Sequence, residues 1–96
     1  MMELKDTVKL MNSSDYKDRF IAEYWQEKIR HDKLEEMLVK YDAGKLDFTP
    51  TCPIEVLKEQ LTIMKKRLYI LKVRAQLEEV NLSRCKNIGP YKVAEK

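Results

Sequence analysis

The sequence predicts an all-α chain: a short N-terminal helix followed by two long antiparallel helices, a helical hairpin that assembles into a homo-oligomer. Three observations predict it. The stretches on either side of residues 43–53 contain no Gly or Pro over more than twenty residues and repeat their apolar side chains at three- and four-residue intervals. Residues 43–53 hold one of the two glycines and two of the three prolines. The second long stretch carries two apolar seams, and a hairpin partner can cover only one of them.

The N-terminal helix is expected over about 2–11, where Leu4, Val8 and Met11 fall at helical spacing; it is too short to survive undocked. Asn12, Ser13 and Ser14 are expected to end it and to cap the next helix, with Asp15 in the following first turn. The first long helix is predicted over about 15–42. Its main stripe runs Phe20, Tyr24, Leu34, Leu38 and Tyr41, with Glu27 and His31 interrupting it and Glu27 placed to satisfy His31. A second strip, Ile21, Trp25 and Ile29, means that this helix is contacted on more than one side.

Residues 43–53 read as a hinge. Gly44 can take the left-handed conformation that closes a helix, and Pro50 and Pro53 push the residues before them toward extended geometry. Phe48 is expected to plug the end of the hairpin core. The second long helix is predicted over about 53–80, with Leu57, Leu61, Met64, Leu68, Leu71 and Ala75 in one seam and Ile63, Ile70, Val73, Leu77 and Val80 in the other. The first seam suits the hairpin, and the second needs a partner chain. Residues 1–82 thus form one domain, and 83–96, which lose periodicity around Gly89 and Pro90, read as a basic tail.

A 96-residue chain of this shape buries too little apolar surface to be comfortable alone, which again favours self-association. The net charge of +3 is too mild to announce a duplex nucleic-acid binder. It is uneven, however: residues 1–48 carry nine Lys or Arg against eleven Asp or Glu, and residues 49–96 carry ten against five. An anionic partner would meet the second half first. Cys52 and Cys85 lack zinc-type spacing and no secretory leader precedes them, so a reduced, cytoplasmic setting is expected. No apolar run approaches the roughly 20 residues that span a bilayer, so no membrane partner is expected.

Catalysis needs convergent groups, and the sequence offers one histidine, no nucleophile motif, no glycine-rich phosphate loop and no metal-ligand spacing. No enzyme, no catalytic residue, no cofactor and no metal are therefore expected. Binding suits it better, because aromatic and basic residues interleave: Tyr16 with Lys17 and Arg19, Trp25 with Lys28 and Arg30, Tyr69 with Arg67 and Lys72. A guanidinium fork matches phosphate and an aromatic face stacks on a base. A protein-interaction module docking its basic second helix on a host protein is the competing reading.

The run Tyr16-Lys17-Asp18-Arg19-Phe20, then Glu23, Arg30, Lys33-Leu34 and Met37-Leu38, the loop Leu46-Asp47-Phe48-Thr49-Pro50-Thr51-Cys52-Pro53, and Glu59-Gln60-Leu61, Met64, Leu71, Arg74 and Val80 resemble a known family. It is a family of small helical-hairpin proteins encoded by bacteriophages and prophages and named after a crAss-like phage member. The likeness covers about residues 13–82, and the loop is its most distinctive part. That family includes the phage anti-CBASS sponges, compact homo-oligomers, hexamers by expectation, that sequester cyclic oligonucleotide signals of bacterial immunity without cleaving them.

The resemblance implies that this chain binds cyclic di- or trinucleotides in the host bacterial cytoplasm as a means of immune evasion. It implies Tyr16 as a base-stacking or lid residue, Arg30 or Lys33 as a phosphate contact, and Arg74 as an arginine presented by a neighbouring protomer. This sequence departs from the family pattern in three places. Glu27 and His31 replace apolar or aromatic residues, and Arg67 stands where an aromatic is usual.

Overall fold

The computed structural model describes residues 3–84. The tail expected over 83–96 therefore lies, from residue 85 onward, outside the described residues, and so does Cys85. Among the described residues all regular structure is helical.

Where one N-terminal helix is predicted, the chain makes a 3-10 turn, Leu4–Thr7, that passes directly into a short helix α1, Val8–Met11. Local hydrogen bonds account for the tight turn. The Glu3 amide donates to the Asp6 carboxylate at 2.8 Å, the Asp6 amide to the Glu3 carbonyl at 2.9 Å, and the Thr7 hydroxyl to the Leu4 carbonyl at 2.7 Å. Thr7 is fully buried, and its oxygen also accepts from the Gln26 side-chain amide at 2.9 Å, which pins this segment to the long helix.

That helix, α2, spans Tyr16–Asp42. Its N-cap is Asp15 rather than the preceding Asn12–Ser14 run: the Asp15 carboxylate accepts from the Lys17 amide at 2.9 Å. Ser13 instead braces the cap, accepting from the Asp15 amide at 3.0 Å and donating to the Asp18 carboxylate at 2.8 Å. At the far end Gly44 has φ +73°, with the Lys45 amide bonded to the Lys40 carbonyl at 2.8 Å and the Gly44 amide to Tyr41 at 3.0 Å. This is the left-handed closure that the glycine predicts.

The third helix, α3, spans Ile54–Leu77 behind Pro53. It stops three residues before the predicted end because it closes in the same way without a glycine. Glu79 has φ +56°, the Val80 amide donates to the Ala75 carbonyl at 2.8 Å, and Val80 turns into the core. A side chain in this conformation costs about 1 kcal/mol. Glu79→Gly is accordingly expected to stabilise the fold by about 0.5–1 kcal/mol, read as a higher urea midpoint with an unchanged slope. A lower midpoint would show that the turn is held by the glutamate itself.

Ion pairs run down one side of the hairpin and state its antiparallel register: Asp42 with Lys58 at 3.0 Å, Glu35 with Lys65 at 3.7 Å, and Glu23 with Arg67. Such exposed pairs stabilise by about 0–1 kcal/mol each, so the register is carried mainly by apolar packing. The core gathers Phe20, Ile21, Tyr24, Trp25 and Ile29 from α2 against Leu68, Leu71 and Ala75 from α3. Leu4 and Leu10 pack on it from the N-terminal segment, and Val80 and Leu82 from the segment after α3. The Trp25 indole donates to the Leu82 carbonyl at 3.0 Å. The second strip of α2 is therefore covered by the N-terminal segment and by the segment after α3.

Three expectations are corrected. Phe48 is 55% exposed and plugs nothing, because the hinge runs past the end of the core rather than folding under it. Tyr41 is exposed, so the main stripe of α2 is buried no further than Leu38. Val80 belongs to the core and not to the outer seam of α3, since the turn at Glu79 reverses its direction.

Candidate ligand-binding site

At the open end of the hairpin the first residue of α2 meets the last turn of α3. The Tyr16 hydroxyl donates to the Glu78 carboxylate and accepts from Arg74 Nη2 at 2.9 Å. Arg74 Nε donates to the other Glu78 oxygen at 3.0 Å, and its guanidinium lies 4.7 Å from the centre of the Phe20 ring. Tyr16 and Phe20 meet edge to face with centroids 6.2 Å apart. Antiparallel packing brings these residues together across 58 positions of sequence, and the i, i+4 spacing of Arg74 and Glu78 supplies the counter-ion.

The result is a half-exposed phenol and a guanidinium, both hydrogen-bonded to one carboxylate and to each other. The Tyr16 hydroxyl and then the Arg74 guanidinium hold the Glu78 carboxyl below the usual carboxylate range. The Glu78 bond and then partial burial raise the Tyr16 phenol, while Arg74 opposes them. Because the folded value of Glu78 is depressed, its contribution is present above the ordinary carboxylate pKa and is lost as pH falls through the folded value. Glu78→Gln is thus expected to cost stability at neutral pH and to have little effect near pH 3, read from thermal melts at both. An equal loss at both would mean that the carboxylate charge plays no part.

Arg30 and Lys33 are exposed on α2, about 21 and 25 Å along the helix from Tyr16 at 1.5 Å per residue. Within one chain they do not join the Tyr16 cluster. Trp25 is 1% exposed, so its interleaving with Lys28 and Arg30 makes no stacking surface. Tyr69, 69% exposed, does offer an open ring. It lines a groove of about 440 Å³ on the outer side of α3 together with Thr62, Lys65, Lys66 and Ile70.

Two of the three departures from the family pattern find an explanation in the packing. Glu27 does not satisfy His31; it lies 3.6 Å from Arg67 Nε, and Arg67 also binds Glu23. Two of the departures are therefore partners of one another, an ion pair where the resemblance leads one to expect apolar contact. Buried His31 places Nδ1 3.0 Å from the Asp32 carboxylate, and its Nε2 has no hydrogen-bond partner among the described residues. Ligand atoms of His31, Asp32 and Glu35 lie within 4.8 Å of one another, a nitrogen and two carboxylates that could hold a divalent cation. Asp32 is already paired with Lys28 at 3.2 Å. The trio has no paired ligand spacing in the sequence; its only signal there is an acidic residue next to the single histidine and another four positions on.

A family model for Sequestin matches residues 14–77, which takes in α2 with its Asp15 cap, the hinge and all of α3 up to its C-cap Glu78, and both Tyr16 and Arg74. The chain belongs to the Sequestin family. No curated protein and no solved structure matches it. The Sequestin match stops before Glu78 and Val80, so the counter-ion of Arg74 and the turn that returns the chain to the core lie outside it. Among the described residues no helix is long and apolar enough to cross a membrane.

Proposed function

We propose that this Sequestin-family chain is a phage-encoded immune-evasion protein that sequesters cyclic di- or trinucleotide second messengers of bacterial anti-phage defence in the host cytoplasm. It acts by depletion, without cleaving the messenger, as a homo-oligomer, with a hexamer favoured, whose ligand sites lie at junctions between copies. The observation that carries this reading is the half-exposed Tyr16–Arg74 pair inside the family match, an aromatic ring for a base and a guanidinium for a phosphate, joined by a 2.9 Å bond from Arg74 Nη2 to the Tyr16 hydroxyl. Arg30 and Lys33 lie too far along α2 to serve the same ligand from the same chain, so they enter as contacts from a neighbouring copy. A cyclic dinucleotide has two phosphates and two bases, and a rotation axis repeats each site residue to match.

A thermal-shift panel of cyclic di- and trinucleotides, with linear dinucleotides as controls, tests it. A ligand at a hundredfold excess over Kd stabilises by about 2.7 kcal/mol, roughly a 10–20 °C rise in melting temperature for a domain of this size. No shift with any cyclic ligand on folded protein defeats the reading.

The exposed face of α3, where Ile63, Ile70 and Leu77 run alongside Lys65, Lys66 and Lys72, favours a second reading, a module that docks this helix on a host protein. Such a module ignores small cyclic nucleotides and is retained by its partner in a pull-down.

A further inference from the structure

Three side chains in the second half of α2 carry chemistry that nucleotide sequestration does not use. His31, Asp32 and Glu35 bring one nitrogen and two carboxylate oxygens within 4.8 Å of one another. Glu35 stands three residues after Asp32 and four after His31, the spacings that make side chains neighbours on a helix surface. The histidine is the buried member, 6% exposed, while the two carboxylates reach toward water.

Burial sets the histidine apart. Its Nδ1 lies 3.0 Å from an Asp32 oxygen, and its Nε2 has no hydrogen-bond partner among the described residues. The polar contact shown for this ring is therefore with the trio itself. An imidazole enclosed with one nitrogen unpaired is a costly filler for a helix seam, and a bound ion is among the few causes that retain such a group. The surrounding charges agree. Lys28 Nζ is 3.2 Å from the Asp32 carboxylate and Lys65 Nζ is 3.7 Å from that of Glu35. Two ammonium groups thus balance the charge that a single divalent ion would balance. Both ride on flexible stems in partly exposed pairs, which hold weakly, so both can turn out to water still protonated.

The geometry points to a divalent transition-metal site formed by His31, Asp32 and Glu35, with Zn2+ as the ion that suits it. The 3.0 Å between Nδ1 and the Asp32 oxygen is close to the roughly 3.0–3.4 Å that separates neighbouring ligands on bonds of about 2.1 Å. Glu35, longer and more exposed, closes on the ion from the next turn, and water takes the fourth position. Metal on Nδ1 leaves the ring proton on Nε2. One imidazole with two carboxylates suits zinc and its neighbours in the first transition row, whereas calcium and magnesium take six or more oxygens. The expectation of no metal rested on paired spacing, which three ligands on one helix face do not need. The site stands about 22 Å along α2 from Tyr16, and it needs no part of the sequestration reading.

The test titrates Zn2+ by calorimetry into the full chain without an added histidine tag, carrying Cys52→Ser and Cys85→Ser so that no thiol competes. The expected result is one Zn2+ per chain. Asp32→Asn and Glu35→Gln should each weaken it at least tenfold, and Glu36→Gln, a carboxylate outside the trio, should leave it unchanged. Both ligand variants change partly exposed side chains, so helical circular dichroism is expected to be retained. His31 is the chain's one histidine, so its imidazole nitrogen resonances report on the site alone: Zn2+ should shift Nδ1 and leave Nε2 protonated. The absence of Zn2+ binding, binding that survives both carboxylate variants, or a metal shift at Nε2 in place of Nδ1 would each overturn the site.

Discussion

Trp25→Ala is expected to remove about 3–5 kcal/mol of folding stability. The indole is 1% exposed and stands where α2, the N-terminal segment and the segment after α3 converge. Its loss leaves a cavity too large for the surrounding side chains to fill and deprives the buried Leu82 carbonyl of its donor. Tyr24, which meets the ring edge to face at 5.1 Å, loses that contact as well. A domain of about 100 residues has roughly 5–15 kcal/mol in total, so one substitution takes a large share. The measurement is a urea titration followed by circular dichroism. Trp25→Phe separates volume from hydrogen bonding: it should recover most of the loss while leaving the Leu82 carbonyl unpaired. If Trp25→Ala shifts the curve by less than about 1 kcal/mol, the N-terminal segment and the segment after α3 are not held by this residue and the hairpin is stabilised elsewhere.

How much of this was legible in the sequence depends on how local each determinant is. The two long helices and the hinge follow from periodicity and from the placement of Gly44, Pro50 and Pro53, all of which act within a few residues. The closure at Glu79 did not, because a glutamate carries no left-handed signal and its strain is offset by burial of Val80, which only the folded chain reveals. Phe48 misled for the opposite reason. Hydrophobicity says what a side chain would prefer, not whether the backbone delivers it to a core. The pairing of Glu27 with Arg67 joins helices 40 positions apart and needs the register of the hairpin before it can be seen. The same holds for the candidate site. Tyr16 and Arg74 were reachable through the family resemblance, whereas Glu78 and Phe20 complete the cluster by antiparallel geometry and by one turn of each helix.

The involvement of Glu78 gives the binding site a prediction of opposite signs. Arg74→Ala is expected to weaken binding of the active cyclic nucleotide by roughly 10- to 100-fold, the size of one or two charge-assisted hydrogen bonds to phosphate. In the folded chain, however, the Nε edge of that guanidinium is occupied by the Glu78 carboxylate, an internal anion on a donor that a phosphate oxygen would otherwise use. A phosphate arriving there must displace Glu78 or settle for the remaining Nη donors, and in either case two negative groups approach. Glu78→Gln removes the repulsion and keeps one acceptor oxygen where the carboxylate uses two, one for Tyr16 and one for Arg74, so the arginine is held less firmly by its own chain. It is therefore expected to bind the cyclic nucleotide more tightly than the wild type, although the variant itself is less stable at neutral pH. Stability and affinity moving in opposite directions are the signature of a carboxylate that competes with the ligand. The readout is titration calorimetry of the two variants and the wild type, with the oligomer mass recorded on each. If Arg74→Ala leaves affinity intact and instead changes the mass, the guanidinium is part of the assembly and the messenger binds elsewhere. If Glu78→Gln weakens binding as much as Arg74→Ala does, the carboxylate positions the arginine for the ligand rather than competing with it.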